Sequence, residues 1–154
     1  MRISAKGLAL IKEQEGFRAR RYLCAAGKPT IGYGHVIQAS EAHLNTATLT
    51  EAQASALLQQ DVDKQYGAHV ARRVHRDVTQ NQFDALVSLC FNIGTAGFEK
   101  SSVLALANAG TTSPDVIKRA FGLWNKVTNP KTKVKEVNKG LTTRRAKEAA
   151  LYLS

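Results

Sequence analysis

Several features are scarce or missing in this chain, and each absence narrows what it does. Only two cysteines occur, Cys24 and Cys90, too few for a disulfide framework. Two free thiols in a protein folded in a reducing compartment are expected. No stretch approaches the ~20 apolar residues of a membrane span. The opening residues, Met1 to Leu8, hold no apolar core of signal-peptide length, so synthesis and storage in the cytosol are expected. The histidines, His35, His43, His69 and His75, show neither H-x-x-x-H nor cysteine-paired spacing, which argues against a metal site, and no cofactor is expected. Gly32-Tyr33-Gly34-His35 lacks the glycine and lysine spacing of a dinucleotide or Walker phosphate loop. Internal repeats and low-complexity linkers are absent, and no separate wall-binding module is visible.

Acidic residues are scarce as well. Twelve Asp and Glu stand against 22 Lys and Arg, a formal net charge of +10, which predicts an anionic partner. Cations concentrate near the C-terminus at Lys131, Lys133, Lys135, Lys139, Arg144, Arg145 and Lys147. No aromatics interleave with them for base stacking, so nucleic acid ranks below cell-wall or outer-membrane polyanions.

What is present is enough for a real core. The chain is 44% hydrophobic and 22% charged over 154 residues, which predicts a single ordered domain. Ser4 caps a first helix that stops near Gly16, with Ala5, Leu8 and Ile11 on one face and Glu15 in the last turn. Phe17 to Leu23 and Pro29 to His35 read as strands about a turn at Ala25 to Lys28, with a third short strand inside the loop-like segment 36–49. Thr50 and Gln53 form a capping box opening a long helix to about Arg72, which Gly67 could bend. Thr79 and Gln82 form a second, opening a buried helix that ends at Asn92-Ile93-Gly94. A short helix over 102–109, a helix from Pro114 through Trp124, a basic loop over 131–139 and a last helix, 143–153, capped by Thr142, complete the chain.

The sharpest constellation lies in one stretch. Glu15, Cys24 and Thr30 line one cleft if the hairpin folds beside the end of the first helix. In that hairpin Cys24 and Thr30 face each other, on the side opposite Ile31, Tyr33 and His35. A carboxylic acid there could protonate a glycosidic oxygen while a second polar group and a hydroxyl hold water on the far side of the sugar. The bland alternative is a helix-terminal Glu, a turn Cys and a strand Thr, and spacing alone does not decide between them. A Cys24–His35 thiol hydrolase is disfavoured, because the two lie on opposite faces.

These residues carry a resemblance. Glu15-Gly16-Phe17-Arg18, the spacing Glu15–Cys24–Thr30 and Thr30-Ile31-Gly32-Tyr33-Gly34-His35 resemble the phage-type lysozymes, the endolysins of glycoside hydrolase family 24. Phe91-Asn92-Ile93-Gly94, Ser101, Trp124 and Gly140-Leu141-x-x-Arg144-Arg145-x-x-Glu148 extend the likeness over nearly the whole chain. The resemblance implies an α+β, lysozyme-like fold: a small antiparallel-sheet N-terminal lobe and a helical C-terminal lobe joined by a long helix. The sheet-bearing lobe would span roughly 14–58, and the helical lobe roughly 59–154 plus the first helix. It further implies a likely monomeric enzyme that hydrolyses the β-1,4 bond between N-acetylmuramic acid and N-acetylglucosamine in peptidoglycan. Such an enzyme waits in the host cytoplasm until a holin releases it.

By the same resemblance Glu15 is the general acid, Cys24 and Thr30 complete the catalytic set, and Tyr22, Gly34, His35, Asn92 and Arg145 bind substrate or support the site. Arg145 would pair with Glu15 from the last helix, with Arg144 the second choice. Many family members carry Asp where this chain has Cys24. A thiol near ~8.5 is mostly neutral at physiological pH, so Cys24 as base, as nucleophile or as passive neighbour all stay open. An arginine partner lowers the pKa that a general acid needs raised. Burial of Glu15 must therefore win, or the arginine is structural. Two other functions compete: a lytic transglycosylase using a lone Glu, and a non-catalytic basic protein that disrupts walls or membranes.

Overall fold

The computed structural model describes residues 1–154. Helix α1 (Ala5–Glu15) is capped by the Ser4 hydroxyl, which accepts from the Gly7 amide, and stops at Gly16. Its buried face is Gly7, Leu8 and Ile11; Ala5, expected beside them, faces solvent. Gly7 is where α1 meets the central helix. A Cβ there would fall 2.7 Å from Cβ and Cγ of Asp84, so no larger residue fits without displacing that carboxylate, which takes the Ser4 amide and hydroxyl.

Three short antiparallel strands follow in the order β1 (Arg18–Leu23), β2 (Pro29–Gly32) and β3 (His35–Val36). A 3-10 segment (Ala39–Asn45) closes the far side. Ile31, Ile37, Leu44, Leu49 and Ala54 form a small core of their own under this sheet.

Thr50 and Gln53 make the expected capping box, each side chain satisfying the other's backbone amide at the start of α2 (Glu51–Asp61). The helix runs on through a π-helical stretch (Val62–Gly67) into α3 (Ala68–Arg73). The expected bend at Gly67 is thus a widened turn that ends there. The second capping box, Thr79 with Gln82, opens α4 (Gln80–Ile93), whose residues Phe83 to Cys90 are all buried. Around α4 pack α5 (Thr95–Lys100), α6 (Ser102–Ala109), α7 (Pro114–Gly122) and α8 (Lys139–Leu153), building the larger core.

Three elements differ from the sequence expectation. Helix α5 fills what read as a connector before Ser101. A two-stranded hairpin, β4 (Lys126–Thr128) and β5 (Lys135–Val137), replaces most of the basic loop. Helix α8 begins at Lys139, capped by Asn138 Oδ1 on the Leu141 amide, and not at Thr142. Gly140 sits harmlessly in its first turn, where a helix tolerates what would weaken its interior.

Candidate active site

Glu15 ends α1 with its side chain 29% exposed. Gly34, in the turn between β2 and β3, has φ +81, and a Cβ built on it would stand 3.5 Å from Glu15 Oε2. A side chain at position 34 would meet the carboxylate and strain the backbone, so glycine lets the turn close over the acid.

The cation beside Glu15 is Arg144, with Nη1 3.9 Å from Oε1. The expectation that Arg145 takes this place is corrected. Successive helical residues point ~100° apart, and Arg145 points at α4. There its Nη2 donates to Asn92 Oδ1 at 2.9 Å and to Glu148 Oε1 at 3.1 Å. Glu148 anchors both arginines. Its Oε1 accepts from Arg144 Nε at 3.2 Å and from the Ser88 hydroxyl at 2.7 Å, and its Oε2 lies 2.8 Å from Arg145 Nε. Asn92 therefore serves the support network from α4. Sequence reasoning assigned Glu148 no role, although its i+4 and i+3 spacing from the two arginines is an ion-pair signal.

Burial raises the pKa of Glu15 above the usual carboxylate value, and the Arg144 charge opposes that rise without cancelling it. A half-buried acid thus keeps its proton longer than a surface glutamate would.

Register places the other two members. Thr30 pairs with Tyr22 across the hairpin, while the Cys24 amide donates to the Lys28 carbonyl at 3.0 Å. Cys24 and Thr30 are therefore diagonal neighbours, not directly opposite as expected. They share a face with Tyr22, because alternate strand positions do. Tyr22 carries Arg18 over its ring at 4.8 Å. Ile31 and His35, paired across β2 and β3, occupy the other face. The Thr30 hydroxyl donates to the Lys28 carbonyl at 3.0 Å, leaving its lone pairs free. The Cys24 thiol is drawn below its usual pKa by the Lys28 and Ala26 amides, with burial opposing and the Thr30 hydroxyl assisting. Cys90 is the opposite case: burial, then the Glu99 charge, pushes its thiol up to about 12. Both thiols are free.

His35 does not approach Cys24. Its ring is held between Asp61 Oδ2 (2.7 Å from Nδ1) and Glu41 Oε2 (2.6 Å from Nε2), tying β3 to α2 and the 3-10 segment. No group of three or more His, Cys, Asp or Glu is placed to hold a metal ion.

A cleft of about 890 Å³ opens between the sheet and the helical body, lined among others by Gly34, Gln65, Tyr66, His69, Arg72 and Phe91. Gln65, His69 and Arg72 come from successive turns of the long helix and were not anticipated. A second cavity of about 890 Å³ lies against Asn92, Trp124 and Asn138. Its lining holds Lys100, Lys126 and Lys135 and no acid.

A family model described as "Phage lysozyme" matches residues 12–148. The chain is 40% identical to an endolysin of Acyrthosiphon pisum secondary endosymbiont phage 1, covering 100% of this chain and 99% of that protein. Two solved structures superpose with a TM-score of 0.83 at 38% identity. One is the muramidase domain of SpmX from Asticaccaulis excentricus, covering 99% of this chain and 97% of that one. The other is the endolysin from Escherichia coli O157:H7 phage FAHEc1, covering 99% and 94%. With the half-buried glutamate, its arginine and the thiol–hydroxyl pair brought to one region of such a fold, the chain belongs to the phage lysozyme family.

Proposed function

We propose that Glu15 is the general acid of this enzyme, with Cys24 and Thr30 handling the attacking water. The chain is an endolysin of lysozyme type, a glycoside hydrolase that acts on the peptidoglycan of its host's wall. The bond cut is the β-1,4 linkage between N-acetylmuramic acid and N-acetylglucosamine. The observation that carries the assignment is the raised proton affinity of Glu15 beside a cation. The proton is available for the glycosidic oxygen, and once it has left, Arg144 stabilises the carboxylate that remains.

On the far side of the sugar, water attacks the anomeric carbon as the bond to the leaving oxygen breaks. One water hydrogen points to the free lone pairs of Thr30, which aims the oxygen. Cys24, with its lowered pKa, accepts the other proton as a thiolate. Water entering opposite the leaving group gives inversion. Glu15 then regains a proton and Cys24 loses one to solvent, which closes the cycle.

No helix is long and apolar enough to cross a membrane. Passage to the wall is assigned to a separate holin, and attraction to anionic wall or outer-membrane polymers to the +10 charge.

Mass spectrometry of products from purified sacculi tests the reading. Wild type should release muropeptides with free reducing ends on muramic acid, and Glu15→Gln should lower the rate by about 10²–10⁴-fold. Anhydro ends would mean transglycosylation without water. Intact sacculi under conditions where a control lysozyme digests them would replace the enzyme with a binding protein.

A further inference from the structure

Eight large apolar side chains are exposed in this chain, and five of them, Val116, Leu123, Val127, Val134 and Val137, belong to α7 and the β4–β5 hairpin. Each is between 39% and 65% exposed. Scattered single exposures are ordinary, whereas five in one short segment mark a surface. The helix and the hairpin are contiguous through Leu123, which lines both the apolar groove of Ala105, Leu106, Val116 and Ala120 and the cavity under the hairpin.

The same segment, residues 114–139, holds seven cations (Lys118, Arg119, Lys126, Lys131, Lys133, Lys135 and Lys139) against two acids, Asp115 and Glu136. That imbalance is half of the whole chain's net charge. The hairpin is exposed at every strand position. One face presents Lys126, Thr128, Lys135 and Val137, and the other Val127, Asn129, Val134 and Glu136, as the ladder and the Asn129–Glu136 hydrogen bond of 3.1 Å require. Its turn is held by Asn129 Oδ1, which accepts from the Lys131 and Thr132 amides, and by Lys133 in the left-handed region at φ 62. The lysine-rich tip is thus a formed structure. A two-stranded ribbon with no packed face is marginal by itself, and these valines contribute nothing to either core.

We propose that α7 and the β4–β5 hairpin form a docking surface for an anionic phospholipid bilayer, with the lysines on the headgroup phosphates and the valines and Leu123 in the interface. Cations alone would suit any polyanion. Apolar side chains alternating with lysines on a projecting ribbon suit a surface that is charged outside and oily just beneath. Lysines, as hydrated point charges on flexible stems, fit a field of mobile phosphates better than a rigid bidentate partner. The surface is independent of the Glu15 chemistry.

The full-length protein is mixed with vesicles of phosphatidylglycerol and phosphatidylethanolamine, and separately with vesicles of phosphatidylcholine. Binding is read by co-sedimentation and by the emission of Trp124, the only tryptophan, which adjoins the hairpin. Wild type should sediment with the anionic vesicles only, with Trp124 emission shifted to the blue. Lys131→Gln with Lys133→Gln should weaken binding on the order of tenfold to thirtyfold. Val134→Ser should weaken it at unchanged charge. Both variants should digest sacculi at the wild-type rate. Equal binding to phosphatidylcholine, no binding to either vesicle, or full binding by Val134→Ser would overturn the proposal. Loss of sacculus digestion in correctly folded variants would do so too, by making the hairpin part of glycan recognition.

Discussion

Arg144 and Arg145 are neighbours in sequence and serve different neighbours in space. Arg144 reaches Glu15, and Arg145 reaches Asn92 and Glu148. The consequence is readable in pH. The acid must be protonated to act, so activity falls as pH rises through the Glu15 pKa. Arg144 holds that pKa lower than burial alone would set it. Arg144→Gln should therefore move the alkaline limb of the kcat/KM profile to higher pH, with circular dichroism confirming the fold; an unmoved limb would remove Arg144 from the acid's electrostatics. Glu15, Cys24 and Thr30 were legible because one contiguous stretch carries all three. The arginine was not, because both candidates sit on the buried side of α8. The signal was there in the periodicity: Arg145, Ala149 and Tyr152 share one helical stripe, which puts Arg145 at the centre of the packed face and Arg144 at its margin.

Among the elements, β3 depends on charge for its seat. Burial alone would lower the His35 pKa, but hydrogen bonds from the ring to Glu41 and Asp61 outweigh it, and the net shift is upward. A group with a raised folded pKa adds stability that is complete below its unfolded value, ~6.5, and is lost as pH rises through the folded value. The melting temperature should therefore decline across that window. His35→Gln should flatten the decline, and an identical slope in the variant would exclude His35 as its source. Helices with capping boxes, at Thr50 and Thr79, were readable because the cap is local chemistry. The β4–β5 hairpin was hidden, since a ribbon exposed on both faces shows no apolar–polar alternation. The partners of His35 were hidden as well. Asp61 stands 26 residues away, and nothing local pairs them.

At the scale of the molecule, two separate apolar clusters divide the interior, and Tyr33 packs against both. Glu51 joins the parts at the surface, accepting from Lys12 on α1, from the Tyr33 hydroxyl and from Ser55 on α2. Those donors hold its carboxyl at about 2, so the junction stays charged through any ordinary pH. The net charge makes a separate prediction. Binding of Glu15→Gln to sacculi, measured by co-sedimentation, should weaken as salt shortens the screening length from ~10 Å at 0.1 M to ~3 Å at 1 M. Undiminished binding at high salt would place recognition in the cleft alone.

The π-helical stretch at Val62–Gly67 has a bearing on how this chain can change length. A wide turn is a helix with a residue to spare, and such a turn can be closed by deleting one position. Closing it would leave every other side chain in place along the chain but turn everything downstream by ~100° about the helix axis. Val70, now wholly buried, would leave the core, and His69 and Arg72 would leave the cleft. One deletion within 62–67 should therefore cost both melting temperature and sacculus digestion, while one in the exposed turn at 129–134 should cost neither. The surplus residue works as a phase setting between the two halves of the molecule, so indels in this helix are counted in degrees as well as in ångströms.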